Sequence, residues 1–398
     1  MNDGHVLDDT RYPAPRAARL AVATAFGLNG IVFGNWFVRI PAVHENLELS
    51  ATSLGVALLG LPGGAVVAMP AAGWLVSRVG SRPVLWVATS LVAGLIVLPG
   101  IAPSLLALTV SLVLLGAATG AMDVAMNAQG VAVERRYRRT IMSSFHAAFS
   151  VCAMAGAVAG GLIASRGVEP GIHLAGVAAF SLPVALGFGF WLLPASADVI
   201  ARRAGPRTLP HIPRPLLALG IVGFCGLLAE GAMADWSAVF LRQEIGTGAG
   251  LAAAGYAVFS AAMTIGRFSG DRLTDRFGAL AIIRCGSAIA AAGLGLAIVV
   301  ENAWLALAGF ALVGAGLSVI VPIVFSAAGR MRGVASGPAI SVVTTTGYLG
   351  FMAGPPVIGV LADLVSLRWA LGLVVALILL MAALSGTVRA AEDLNDPR

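Results

Sequence analysis

Residues 73–82 read GWLVSRVGSR, and residues 271–280, 198 positions further on, read DRLTDRFGAL. In register, Ser77-Arg78-Val79-Gly80 falls on Asp275-Arg276-Phe277-Gly278. Each stretch is a basic break where one long apolar run stops and the next begins. Short arginine-rich breaks between such runs are the loops of a polytopic membrane protein, because positive charge stays on the cytoplasmic side. The same break at a fixed offset predicts two related halves in one chain.

The offset of 198 also places Gly116 on Gly314 and Gly156 on Gly354. It sets Cys152-x3-Gly156-Ala157-x2-Gly160-Gly161 over Gly350-x3-Gly354-Pro355-x2-Ile358-Gly359, and an offset of 200 puts Asn35-Trp36 on Asp235-Trp236. Around these anchors lie apolar runs at 18–42, 52–76, 83–101, 104–131, 141–165 and 172–194, then at 214–241, 250–270, 280–299, 303–328, 335–361 and 367–389. A helix needs about 20 mainly apolar residues to cross the hydrocarbon core. The expected fold is therefore an all-α polytopic membrane protein, with twelve transmembrane helices in two pseudo-symmetric six-helix halves, 18–194 and 214–389. Residues 1–17 and 390–398 form cytoplasmic tails. The stretch 195–213, with Gly205, Pro206, Pro210 and Pro213, reads as the cytoplasmic linker.

Composition points the same way. Of 398 residues, 58% are apolar and 11% charged, with a mean hydropathy of +0.91, whereas soluble domains carry about 25% charged residues. Such a chain cannot cover itself with polar surface. All 25 basic residues are arginine, and twelve spans put both termini on one side. If that side is cytoplasmic, 21 arginines lie inside and only Arg39, Arg166, Arg242 and Arg368 outside. The net charge of +6 is then a topology signal and not a nucleic-acid patch, so no nucleic-acid partner is expected. The 50 glycines suit close helix packing in lipid. Cys152, Cys225 and Cys285 lie inside apolar runs without pairing or ligand spacing. The segment around Pro13 and Pro15 lacks a short apolar core with a small-residue cleavage site, so no signal peptide is read there.

Gly73-x3-Ser77-Arg78-x-Gly80-x-Arg82 resembles the loop signature of the major facilitator superfamily, with Ser77 where that signature has Asp. The second copy, Asp271-x3-Asp275-Arg276-x-Gly278, keeps the Asp and lacks the first Gly. The resemblance implies the facilitator fold, a monomer, and gating loops that act as the halves rock. It assigns that gating to Gly73, Ser77, Arg78, Gly80, Arg82, Asp271, Asp275, Arg276 and Gly278, and Ser77 leaves the first loop without its carboxylate. MDVAMNAQG (122–130), SSFHAAFS (143–150) and EGAMADWSAVFL (230–241) are similar to stretches of YbjJ-type bacterial permeases, a branch related to fucose–proton symporters. That similarity implies a bacterial inner membrane, a small polar substrate such as a sugar or related metabolite, and proton coupling.

Ionisable groups inside apolar runs are costly, which makes them functional candidates. Asp123 shares a helix face with Gly116, Gly120, Asn127 and Gly130. It reads as a proton carrier or as a buried packing carboxylate. Glu230, on a stripe with Gly223, Gly226 and Ser237, is the second proton-coupling candidate, with a structural hydrogen bond as its alternative. His146 is the third, against a satisfied core histidine. For the substrate, Asn29, Asn35 and Asn127 offer amides, Trp36 a ring for stacking, and Thr344 and Tyr348 hydroxyls. Trp36 and Trp236 read equally as interfacial anchors. Arg39 and Asp235 read as solvated or paired near the outer surface.

These features together predict a proton-coupled symporter working by alternating access. The alternative within transport is a proton-linked drug or metabolite exporter, which would carry a Gly-Pro motif in the fifth run, where Cys152 and Ala157 stand instead. A non-transporting sensor on a transporter scaffold is the alternative of another class. No HExxH, Walker-type loop, GxSxG or Cys/His cluster is present, so no enzyme, cofactor or metal site is expected.

Overall fold

The computed structural model describes residues 15–137, 141–194, 213–329, 331 and 336–386. The predicted linker, apart from Pro213, most of the predicted N-terminal tail and all of the predicted C-terminal tail lie outside the described residues. Among the described residues, twelve helical spans are long and apolar enough to cross a membrane, two of them, Ser81–Gly100 and Ala303–Phe325, built from a helix and its short continuation. They are α1 Pro15–Phe37, α2 Ala51–Val79, α3 Ser81–Leu95, α4 Leu105–Tyr137, α5 Met142–Ala164 and α6 Pro170–Phe188 in the first half. The second half holds α7 Arg214–Gln243, α8 Ala249–Phe277, α9 Ala279–Val299, α10 Ala303–Leu317, α11 Ser336–Leu364 and α12 Leu367–Leu384. Short helices Val97–Gly100 and Ile320–Gly329 prolong α3 and α10. The first apolar run differs from its expected single helix: α1 ends at Phe37, and a separate helix, Ile40–Asn46, begins with Pro41 in its first turn. Proline has no amide to continue the preceding helix and is at home in the first turn of a new one.

The repeated loops work alike. Gly80 and Gly278 adopt φ of 87° and 80°, a region that penalises any side chain. Each closes one helix and opens the next.

Equivalent helices pack in equivalent pairs: α2 on α4 and α8 on α10, α1 on α5 and α7 on α11, α3 on α6 and α9 on α12. Glycine sets the closest approaches. A Cβ at Gly116 would overlap the Leu61 carbonyl oxygen, and one at Gly314 the Phe259 carbonyl oxygen. Gly314 and Phe259 are Gly116 and Leu61 moved by 198 residues, so the internal repeat holds at the level of contacts. Lipid tails are as apolar as leucine and give helices no hydrophobic reason to associate, which leaves close packing to hold the bundle.

Large apolar side chains cover the outside, among them Val67, Leu106, Val299 and Leu364. Trp74 and Trp191 lie exposed near the end where the termini emerge, and Trp304 and Trp369 near the other. These four fit interfacial belts. Trp36 and Trp236, 1% and 0% exposed, do not, which overturns their reading as anchors.

Adjacent glycines of α2 test the packing. A Cβ at Gly64 would overlap the Val113 carbonyl oxygen, whereas one at Gly63 meets nothing within 4 Å. Gly64→Ala is expected to cost about 1–3 kcal/mol through overpacking and to lower the unfolding midpoint in detergent. Gly63→Ala leaves that midpoint unchanged or raises it.

Candidate functional site

Two polar clusters span the halves near mid-depth. Glu230 lies 16 residues from the start of α7 and 13 from its end, or about 24 and 20 Å along the axis. It is ion-paired: Arg267 Nη2 of α8 donates to Glu230 Oε1 at 3.2 Å, and Arg267 Nη1 donates to Ser150 Oγ of α5 at 3.2 Å. Arg267 thus ties the second half to the first. The charge count put this arginine on the cytoplasmic side although it falls within the run 250–270, and it sits 10 residues inside α8, about 15 Å from the helix end. Its only sequence signal was a basic residue within a span, and the nearby loop arginines masked it.

In the second cluster, Asn127 Nδ2 donates to Asp123 Oδ1 at 3.1 Å and to the Asp123 carbonyl at 2.9 Å. The Tyr348 hydroxyl, on α11 in the other half, donates to Asp123 Oδ2 at 3.5 Å. Among the described residues no cation pairs with Asp123. Tyr348 and Ser150 are repeat equivalents, since 348 less 150 is 198. From matching positions of α11 and α5, each reaches a charged residue of the opposite half. The charged groups have no such twins: the same offset pairs Asp123 with Val321, Glu230 with Val32 and Arg267 with Met69.

The other candidates fall into different places. The His146 ring packs edge-on against Phe26, with centroids 5.0 Å apart, and has no hydrogen bond to Asp123 or Asn127 among the described residues. Asn29 is buried, with Oδ1 lacking a described partner. Asn35, expected to meet substrate, instead meets His173 Nε2 of α6 at 2.9 Å and donates to the Ile31 carbonyl at 2.9 Å. Asn35 and His173 form the polar floor of a groove of about 520 Å³ between α1, α5 and α6, walled by Ala155, Gly156 and Ala159. The groove lies within the first half, and there Asn35 is engaged by His173 and its own helix rather than by the opposite half. Trp36 is enclosed, which removes it as an accessible stacking surface. Arg39, expected to be solvated or paired, is buried and donates to the Val168 carbonyl. Asp235 has no hydrogen bond or ion pair among the described residues.

Of the gating loops, Arg78 lies over Trp74, 5.1 Å from the ring centroid, and Arg276 over Phe277 at 5.4 Å. Arg82 donates to the carbonyls of Gly189 and Phe190, a contact within the first half. Gly73 has open space around it. The side chains of Ser77, Asp271, Asp275 and Thr344 lie outside the described residues. No group of three or more His, Cys, Asp or Glu that could hold a metal occurs among the described residues.

At the end away from the termini the halves touch closely, α2 on α11 and α5 on α8. Arg242 Nε donates to Glu45 Oε1 at 2.6 Å, and Gln243 meets His44 at 2.9 Å.

Twelve spanning helices in two related halves, with charged groups bridging them at mid-depth, define a secondary transporter. The family model for the Major Facilitator Superfamily matches residues 22–337 and 270–397. The chain belongs to that superfamily. An uncharacterised MFS-type transporter of Yersinia pestis is 35% identical over 368 residues, 92% of this chain and 94% of that protein. The membrane protein MosC of Rhizobium meliloti is 33% identical over 374 residues, covering 94% and 90% of the two chains. Among solved structures, a bacterial homologue of the human lysosomal transporter Spinster, inward-facing and unoccupied, superposes with a TM-score of 0.70 at 15% identity, covering 96% of this chain and 98% of that one. The nucleoside transporter NupG gives 0.67 at 14% identity, covering 96% and 100%. At these identities the structural likeness speaks to the fold alone.

The ion pair is testable by a double-mutant cycle. Glu230 and Arg267 side chains keep 25% and 32% exposure, so the coupling energy between Arg267→Ala and Glu230→Gln is expected at about 1 kcal/mol. Arg267→Ala alone, which strands a carboxylate, should lower the unfolding midpoint more than the double variant does.

Proposed function

We propose that this protein is a proton-coupled symporter of a small polar solute, such as a sugar or related metabolite. It works by alternating access as a monomer in the bacterial inner membrane, with both termini cytoplasmic. One observation carries the reading: Asp123 has no described cation partner and accepts hydrogen bonds from Asn127 of its own half and Tyr348 of the other.

A lone carboxylate between two moving bodies can link its charge to their separation. Ionised, Asp123 holds the Tyr348 hydroxyl through a charge-assisted bond, which is about twice as strong as a neutral one. Protonation removes that charge and weakens the bond. Protonation of Glu230 acts similarly on Arg267 and, through it, on Ser150. Both changes loosen contacts between halves at one depth, where a solute with hydroxyls could engage the released groups. The 21-to-4 arginine asymmetry supports the cytoplasmic assignment of the terminal end. With that assignment, the close contacts at the opposite end support an inward-facing reading.

The test uses purified protein in liposomes with a trapped pH dye and a panel of sugars and metabolites. Solute-dependent acidification of the lumen is expected, and it is abolished in Asp123→Asn and strongly reduced in Glu230→Gln. Alkalinisation driven by solute moving outward assigns an antiporter. Tracer uptake without proton movement refutes proton coupling, and the absence of any flux across the panel favours a sensor.

A further inference from the structure

The end of the bundle away from the termini is closed by two helix crossings that the internal repeat makes equivalent. In one, Gly359 and Asp363 of α11 face Ala51, Thr52 and Gly55 of α2. In the other, Gly161 of α5 and Ser165 at its C-terminal end face Gly250 and Ala253 of α8, beside Ala249 at the start of that helix. Every residue of one set lies 198 positions from its counterpart in the other. Both crossings are tight. A Cβ at Gly359 would overlap the Ala51 carbonyl oxygen, and one at Gly55 the Pro355 carbonyl oxygen. A Cβ at Gly161 would stand 2.8 Å from that of Ala253, and one at Gly250 2.8 Å from that of Ser165.

Their polar chemistry differs at three pairs of positions, Asp363 against Ser165, Thr52 against Gly250 and the helix caps Ser50 against Gly248, and only Asp363 reaches backbone amides of the opposite half. Asp363 Oδ1 accepts from the Ala51 amide at 2.9 Å, and Oδ2 accepts from the Thr52 amide at 2.8 Å. These are first-turn amides of α2, which its own helix leaves without acceptors. Ser50 accepts from the third, Ser53. The carboxylate therefore caps a helix of the opposite half, where the helix dipole also favours negative charge. At the twin position Ser165 donates to the Leu162 carbonyl of its own helix at 2.8 Å. The first turn of α8 begins at Gly248 and has no side-chain cap.

We propose that Asp363 is the latch of this gate: by capping α2 across the interface it sets the balance between closed and open states of this end, and the α5/α8 crossing is a passive contact. The nearby Arg242–Glu45 pair is an exposed side-chain ion pair, a kind that contributes little, whereas Asp363, also exposed, accepts from two backbone amides that have no other acceptor in their helix. Asp363 is a positioning residue, because it touches no group placed in the transport pathway. The proposal rests on alternating access but not on proton coupling or on any substrate.

The experiment reads the gate directly. In a background with Cys152, Cys225 and Cys285 replaced by alanine, spin labels are placed at Glu169→Cys and Glu301→Cys. These exposed sites lie in loops of opposite halves at this end. Distances are measured by pulsed electron–electron resonance in nanodiscs without solute. Loss of an N-cap shifts such equilibria about fivefold, so Asp363→Ala should raise the ratio of long to short distances by about that factor. Ser165→Asp, which supplies the uncapped amides of α8 with a carboxylate, should lower it. Opposite shifts establish the latch and its one-sidedness. A distribution for Asp363→Ala equal to the parent's overturns the proposal, whatever Ser165→Asp does. If Asp363→Ala does not fold, Asp363→Asn replaces it, and the same criterion applies to the loss of charge. Because no proton flux is read, a failed latch leaves the liposome result standing, and a failed symport assay leaves the latch standing.

Discussion

The structure depends on backbone meeting backbone at glycine. In water a helix is pressed onto its neighbour by the apolar face it hides. In a bilayer the surroundings are as apolar as the face, and the remaining gain comes from contact at short range. Gly116 against Leu61 and Gly314 against Phe259 show the solution used twice, at corresponding positions of the two halves. With side chains removed at the crossing, the helix axes come near enough for dispersion and weak polar contacts to add up. Each half is thereby closely packed within itself, which suits the proposed motion of one half against the other.

The surfaces between the halves are built differently along their length. At one end they are close crossings of small residues. At mid-depth they carry a few polar bridges between side chains of the two halves, Arg267 to Ser150 and Tyr348 to Asp123. Glycine contacts are nearly all-or-none, whereas a hydrogen bond across a gap can be broken and remade without repacking either half. This division of labour suits a machine that must be rigid within each half and loose between halves.

The twelve spans and their pairing into halves were legible in the sequence because both follow from one-dimensional signals, the length of apolar runs and the recurrence of basic breaks. Asp123 and Glu230 stood out for the same reason, as rare carboxylates in long apolar surroundings. Contacts were less legible. Asn35 and His173 are 138 residues apart, and nothing in the chain says that the asparagine turns toward α6. In a soluble helix, apolar periodicity would show which face looks inward. Here lipid and protein interior both favour apolar side chains, so that periodicity is absent and polar residues cannot be assigned a direction. Arg267 illustrates the opposite difficulty, since its charge counted with the cytoplasmic arginines while its position lay well inside the helix. The break between α1 and the helix Ile40–Asn46 was within reach, because Pro41 was visible in the run.

The absent twins of Asp123, Glu230 and Arg267 bear on how such a protein can arise. Two identical subunits facing each other across a twofold axis would present every charge of the passage in duplicate, and paired carboxylates at one depth would repel or share a proton. Once two copies are fused in one polypeptide, each can mutate without its partner. Val321, Val32 and Met69 stand at the positions equivalent to these charged groups. Fusion thus does more than tether the halves: it lifts a symmetry constraint and lets a symmetric scaffold house a single, one-sided charge.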